Sequence, residues 1–388
     1  MQRWRRDQVC GLGGVFNSAE FILPLGDAGS GAVDTSLARG VGPATFTRAT
    51  TAWTKLSSGL WASVASGTAR SCYIGATTAV GAYGGYFAEG AGTQLVTPTA
   101  NIRDMTGVGW DAVTMTVAKT GTGIDGVVNA CTRLTATGAA ATVLHLLVAA
   151  ASDRTYSCFI RRVTGTGTVK LVQGATKSSD FAASINTSTY TRLVLDATVD
   201  VTLIGYGIEL GTSGDVIEVD FNQFEAGAFA TSPMDAAGAV RNSDVLTYPF
   251  AGNALAATGT CYADLSTFSA RSTQQVVVSF TTSNGPMFFN SSVGTRISIS
   301  DGTTAATKTG LTDMLTGIRK RATSWGTALN ATGDGATVET AAFDGDMGSA
   351  AVATGCFTNG ASSWYGTLKE VHIWQSQLAD ATLQALTA

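Results

Sequence analysis

The chain has 388 residues, a charged fraction of only 13% and a formal net charge of −4, so it is long enough for two or three domains with sizeable cores. The acidic balance argues against a nucleic-acid-binding face. Mean hydropathy is +0.19, yet no apolar run is long enough to cross a bilayer, so no membrane insertion is expected. With 46 glycines and many small or β-branched residues, the composition favours an all-β chain rich in turns.

The opening MQRWRRDQVCGLGGVF has a basic head, but Asp7, Gln8 and several glycines replace the apolar stretch of a signal peptide, and the segment is expected to be unprocessed. The basic clusters Arg3–Arg6 and Arg319–Arg321 read as solvated patches or contacts to an acidic neighbour. Residues 1–95 are irregular: an apolar run Phe21–Leu25, a Gly/Ser/Ala-rich stretch to Gly42, then ATFTRAT (Ala44–Thr50) and GYFAEGAGTQL (Gly85–Leu95). Such a segment folds poorly alone and is expected as short strands and extended chain lying against other proteins.

Residues 96–240 carry strands at roughly 10-residue spacing, the signature of a jelly-roll sandwich: Thr114–Lys119, Thr155–Val163, Thr168–Gln173, Tyr190–Leu195, Val201–Leu210 and Asp215–Phe224. In the stretch Asp220–Leu246, Phe221 and Gln223 alternate with Asn222 and Phe224. Glu225 and Gly227 break the pattern, Pro233 and Gly238 mark a link, and Val245-Leu246 begin a new strand. Residues 241–388 give a second sandwich, with strands at Gly259–Phe268, Gln275–Phe280, Met287–Asn290, Arg296–Ser300, Arg319–Trp325 and Gly366–Trp374. Leu383 and Leu386, three apart, would seat a short terminal helix on it, with Asp380 capping in place of Ala379. Trp325 and Trp374 alternate with apolar residues and are assigned to the core.

These phrases, in this order, resemble tailed-bacteriophage virion structural proteins. ATFTRAT and GYFAEGAGTQL resemble their leading segment, with Gln94 at a usual Asn. Gln223–Gly227 with Ala230-Thr231-Ser232 and Arg241–Leu246 resemble their inter-domain junction. The order of Tyr156–Arg161, Tyr190–Leu195 and Gly214–Ile217 resembles a carbohydrate-binding-module jelly roll. Gly366–Trp374 followed by Gln377–Thr387 resembles the close of concanavalin A/laminin-G-like domains. The resemblance implies an N-terminal virion-attachment segment (1–95), two antiparallel β-sandwiches (96–240 and 241–388), and a location in the virion after assembly in the host cytoplasm. It implies other phage structural proteins and a host-surface glycan as partners, and a homotrimer.

Chemistry-bearing motifs are sparse. His145 and His372 each sit among apolar residues and read as packed histidines. There is neither a Gly-x-Ser-x-Gly elbow nor a phosphate loop, and no catalytic residue is assigned. Six scattered cysteines (Cys10, Cys72, Cys131, Cys158, Cys261, Cys356) with no CxxC pairing read as free, mostly buried thiols. Sugars stack on exposed rings. Trp364 and Tyr365, in the polar turn before the last strand, are therefore the first glycan-binding candidates; Trp110 follows, then Trp53 and Trp61. The other reading of Trp364 is a turn anchor or subunit contact. No cofactor is called for, but the acidic turns Asp344-Gly345-Asp346 and Gly333-Asp334-Gly335 are of a kind that binds Ca²⁺. A head-decoration protein without receptor binding and a glycan depolymerase using two carboxylates are the rival functions.

Overall fold

A computed structural model describes residues 13–29, 31–74, 82–96, 102–148, 152–199, 203–227, 229–235, 240–268, 274–289 and 294–388. Arg3–Arg6, Cys10, Gly238 and Asn290 lie outside these. The fold is all-β: antiparallel sheets packed as two sandwiches, with a short helix, Asp380–Thr387, at the C-terminal end.

One sandwich is formed by residues 110–226. Its first sheet runs, in spatial order, Trp110–Val113, Ala141–Val148, Leu203–Leu210, Val169–Gln173, Thr176–Lys177. Its second runs Met115–Gly121, Cys131–Ala136, Val216–Ala226, Ser152–Thr164, Thr191–Val199. Thr114, at φ 51°, is the corner where the chain leaves the first sheet for the second. Inward residues of both sheets meet in one core, Val143, Ile208 and Leu171 from one side against Leu134, Ile160 and Ile217 from the other. The alternation of Cys158 and Ile160 against Ser157 and Phe159 sends the second pair to the outer face, where Trp61 covers Phe159 at 5.3 Å between ring centroids.

The strand Val216–Ala226 departs from simple alternation. Opposite it, Ser157 pairs with Gln223 but Phe159 with Asp220, so one extra residue is accommodated there, and Phe221 takes φ 49°. This bulge turns the Phe221 ring onto Trp53 (4.8 Å) and places the Asp220 carboxylate on Arg103 (2.8 Å). Almost every residue of the strand is buried: one face looks into the core, and on the other Arg133, Arg161 and Arg103 cover Glu218 and Asp220 while the link at Thr231 covers Gln223 and Glu225.

The other sandwich uses both ends of the chain. Its larger sheet runs Glu339–Ala341, Leu329–Gly333, Arg319–Trp325, Gly259–Thr267, Gly366–Trp374, Ala82–Ala88, Ser71–Ile74, with Phe21–Leu23 also pairing Gly366–Trp374. The facing sheet runs Ala305–Lys308, Ile297–Ser300, Gly285–Phe289, Gln275–Ser279, Val352–Thr354, Val245–Tyr248, Thr45–Thr47. The N-terminal segment, expected to lie as an arm on other proteins, thus places four strands in these two sheets, and Phe21, Leu23, Tyr86 and Ala88 enter its core. Its short strands carry little periodicity because each is one rib of a sheet assembled from distant chain. Gly85 shows how tightly: at φ 100°, a Cβ there would lie 1.9 Å from the Leu368 carbonyl oxygen.

The sandwich of residues 110–226 is therefore an insertion. The chain leaves at Gly92–Thr93 and returns at Val240–Arg241, and these two segments pair antiparallel. The terminal helix packs Leu383 and Leu386 against Tyr262, Ala322 and Trp374 on the outside of the larger sheet. Its N-cap is Ala379, without a side-chain cap; Asp380, expected to cap it, is the first helical residue and accepts instead from Asn330 Nδ2 at 3.3 Å.

Candidate functional site

Where the insertion meets the other sandwich, the interface is charged and buried. Asp244 accepts from Arg48 Nη1 (2.8 Å) and Arg70 Nη2 (2.6 Å). Glu89 pairs with Arg70 (2.9 Å) and Arg241 (3.3 Å) and accepts from the Ser232 N–H (2.5 Å). Glu225 accepts from the Thr231 N–H (2.9 Å), its hydroxyl (2.6 Å) and Gln223 Nε2 (2.5 Å). Gln94 Oε1 accepts from the Phe224 N–H at 2.9 Å, stitching the outgoing chain to the returning strand. Burial pushes the Glu89 carboxyl up, but Arg241, Arg70 and hydrogen bonding from Ser232 together override it and hold it down at about 2. For Glu225 burial prevails, and its carboxyl is raised despite the charge of Arg192 and the hydrogen bonds from Thr231 and Gln223. Glu225, Arg241 and Asp244 thus fix the joint between the sandwiches.

Beside this network opens a cavity of about 330 Å³, lined by parts of both sandwiches. Lys55 and Trp61 are cross-strand partners on one small ribbon. Tyr73 comes from Ser71–Ile74, and its hydroxyl donates to Asp27 Oδ2 (2.6 Å). Phe87 lies over Arg70, the guanidinium carbon 4.3 Å from the ring centroid, and so floors the cavity above the ion-pair network. Phe268 follows the strand Gly259–Thr267 and meets Phe87 edge-on at 5.2 Å. It is 46% exposed, the one aromatic side chain in the exposed class among the described residues. Tyr365 completes the wall; its ring meets Phe229 at 4.9 Å, and a Cβ on Gly90 would lie 2.7 Å from its hydroxyl. From the inserted sandwich comes Arg192, which donates from Nη2 to Ser157 Oγ (2.9 Å) and lies 5.4 Å from the Phe159 ring centroid.

The sequence candidates fall differently from expectation. Trp364 is 0% exposed, with its Nε1 donating to the Ser266 carbonyl (3.0 Å); a ring with no free face cannot stack on a sugar, and Trp364 is a turn anchor. Tyr365, its neighbour, does line the cavity, though only 4% exposed. Trp110 is half-buried and not part of the cavity lining; it packs edge-on against His145 (5.2 Å) and Tyr206 (5.6 Å). Trp53 is buried under Arg103 and against Phe221, whereas Trp61 lines the cavity. Trp325 and Trp374 are core residues at 0% and 2% exposure. Both histidines are buried among aromatic rings.

Asp344 and Asp346 do not form a cage. Asp344 Oδ1 accepts from the Asp346 N–H (3.1 Å) and Asp346 Oδ1 from the Gly348 N–H (2.7 Å), the geometry of successive Asx turns. Asp334 pairs with Arg321 at 2.6 Å. Among the described residues, no three His, Cys, Asp or Glu side chains gather as a metal ion would require. The five described cysteines are buried and unpaired, and burial raises the thiols of Cys131, Cys158 and Cys356 to about 12.

Sequence reasoning missed Phe268, Tyr73 and Arg192. The phrase Tyr190-Thr191-Arg192 was visible, but nothing local shows that its arginine faces a cavity rather than solvent.

No known sequence family matches the chain, nor does any curated protein. Among solved structures, it is similar to a CBM40 module of a Ruminococcus gnavus sialidase bound to α2,3-sialyllactose. The identity is 16% over 37% of this chain and 92% of that one, with a TM-score of 0.30. A CBM22 tandem from Paenibacillus barcinonensis Xyn10C is 9% identical over 75% of this chain and 100% of that one, with a TM-score of 0.28. Scores this low do not establish a common fold; the architecture rests on the strand pairing above.

Proposed function

We propose that this chain is a non-enzymatic structural component of a tailed-phage particle that binds a host-surface glycan in the aromatic cavity between its two sandwiches. The observation that carries the binding site is Phe268, an exposed ring at the mouth of a cavity also walled by Trp61, Tyr73 and Tyr365. Aromatic faces contact the C–H faces of pyranose rings, and a cavity of about 330 Å³ falls in the range that holds a small ligand. The phage assignment is supported by the ordered phrases of the sequence, from ATFTRAT to LKEVHIW. The expected setting is the surface of the virion, on a tail fibre or spike, among other phage structural proteins. Homotrimerisation would give weak sugar contacts avidity.

The cavity is not built for glycoside hydrolysis. Among the described residues the one carboxylate in its lining is Glu89, which two arginines keep ionised and occupied, whereas a glycosidase needs a second acid about 5–9 Å away and a proton to give. The test is a glycan array probed with the full chain and with Phe268→Ala. The expected result is binding to a defined set of glycans, weakened about tenfold or more by the substitution, equivalent to about 1.4 kcal/mol. Binding to no glycan, with the chain found only as a shell-decorating subunit in particles, would replace this reading with head decoration.

A further inference from the structure

The cavity wall carries a positive charge with which no carboxylate among the described residues pairs directly. Arg192 lies on the outer face of the inserted sandwich, opposite Phe159, and lines the cavity. Its one hydrogen bond is to a neutral group, the Ser157 hydroxyl, and its buried Nε has no partner. No carboxylate lies within ion-pairing distance of it among the described residues, in contrast to Arg48, Arg70 and Arg241 a short way off, which share Asp244 and Glu89. Burial lowers the affinity of its guanidinium for the proton, and the more distant Glu225 and Glu89 offset this only in part. A half-buried arginine in this state is poised for an oxyanion to come from outside. Lys55 adds a second cation to the same lining, while Glu89 is neutralised by its two arginines.

We propose that the cavity selects a carboxylate-bearing sugar, whose acid group pairs with Arg192 while its ring lies against Phe268 and Trp61. This rests on the glycan-binding reading and names the class of glycan. The geometry divides the work: rings on the wall from Lys55–Trp61 and Phe268 supply apolar contact common to all sugars, and the guanidinium on the opposing sandwich discriminates by charge. Uronic acids and nonulosonic acids such as sialic acid share this chemistry, a ring carboxylate beside an apolar C–H face.

The test uses the wild-type chain first. Tri-galacturonate and 3′-sialyllactose are titrated calorimetrically beside their methyl esters, which keep the ring and remove the charge. The acid of one pair should bind about tenfold or more tightly than its ester, a difference that shrinks as salt is raised. Which pair shows it tells uronate from nonulosonate. In Arg192→Gln the acid-over-ester preference should vanish; Arg192→Lys should restore part of it. Phe268→Ala should weaken acid and ester alike. If acid and ester bind equally, or if Arg192→Gln keeps the preference, the charge assignment is overturned while glycan binding stands. If neither acids, esters nor any array glycan binds, the glycan reading fails and this inference with it. The wild-type acid-to-ester ratio needs no variant to fold.

Discussion

Replacing Asp244 by alanine removes the central anion of the joint between the two sandwiches. Its two oxygens hold Arg48 at 2.8 Å and Arg70 at 2.6 Å, and all three side chains are 0% exposed. Arg70 would keep Glu89 (2.9 Å) and the Trp53 carbonyl (2.7 Å), but Arg48 would keep only backbone carbonyls, those of Thr50, Val64 and Ala65. Stripping one partner from a buried pair leaves charge without compensation, at a cost of about 3–5 kcal/mol. That is two or more orders of magnitude in the unfolding equilibrium, at about 1.4 kcal/mol per decade. Because Arg48 and Arg70 flank the N-terminal strands Thr45–Thr47 and Ser71–Ile74, Asp244→Ala should also open that segment to limited proteolysis. The assay is urea denaturation followed by tryptophan fluorescence, with Lys177→Ala as the contrast. Lys177 pairs with Glu209 at 2.5 Å but is 50% exposed, and its loss should cost less than about 1 kcal/mol. A stability for Asp244→Ala within about 1 kcal/mol of wild type would refute the reasoning that these buried pairs bind the segment to the fold.

Acid should weaken the joint through Glu89. Its folded value lies near 2 against an ordinary 4.5, so the stability it brings is complete above about 4.5 and is lost as pH falls toward about 2. The integrated loss is about 3 kcal/mol, opposed in part by Glu225, whose raised value favours the fold as it protonates. Denaturation midpoints measured from pH 6 to 2 should fall more steeply for wild type than for Glu89→Gln; parallel curves would contradict this. Trp364→Phe deletes the donor to the buried Ser266 carbonyl and should cost about 1–3 kcal/mol. Calorimetric glycan affinity should be unchanged in that variant, whereas a loss of binding in a folded protein would return Trp364 to the site.

The all-β class, the two sandwiches and the core roles of Trp325 and Trp374 were legible because alternation along a strand is a local signal. Trp364 was not, because its flanking Ser362, Ser363 and Gly366 read as an exposed turn. In the fold that turn is pressed against Ser266 and Thr267 of the adjacent strand, so exposure was decided by tertiary packing. The insertion was hidden for a similar reason: Phe21–Leu23 pairs with Gly366–Trp374 across almost the whole chain, and no local pattern records such a partner. The cavity gathers single residues from well-separated segments, Lys55 to Tyr365, and so leaves no motif. The junction phrase Gln223–Leu246 was recognisable as a link, and its Gln223, Glu225, Arg241 and Asp244 lie in the buried network of ion pairs and hydrogen bonds there.

The central claim is that a glycan occupies the cavity between the sandwiches. A crystal structure of the chain with its tightest array glycan tests it most directly. The account predicts density for a pyranose ring against Phe268 and Trp61, with Arg192 within hydrogen-bonding reach. A glycan seated on another face, with this cavity empty, would contradict it.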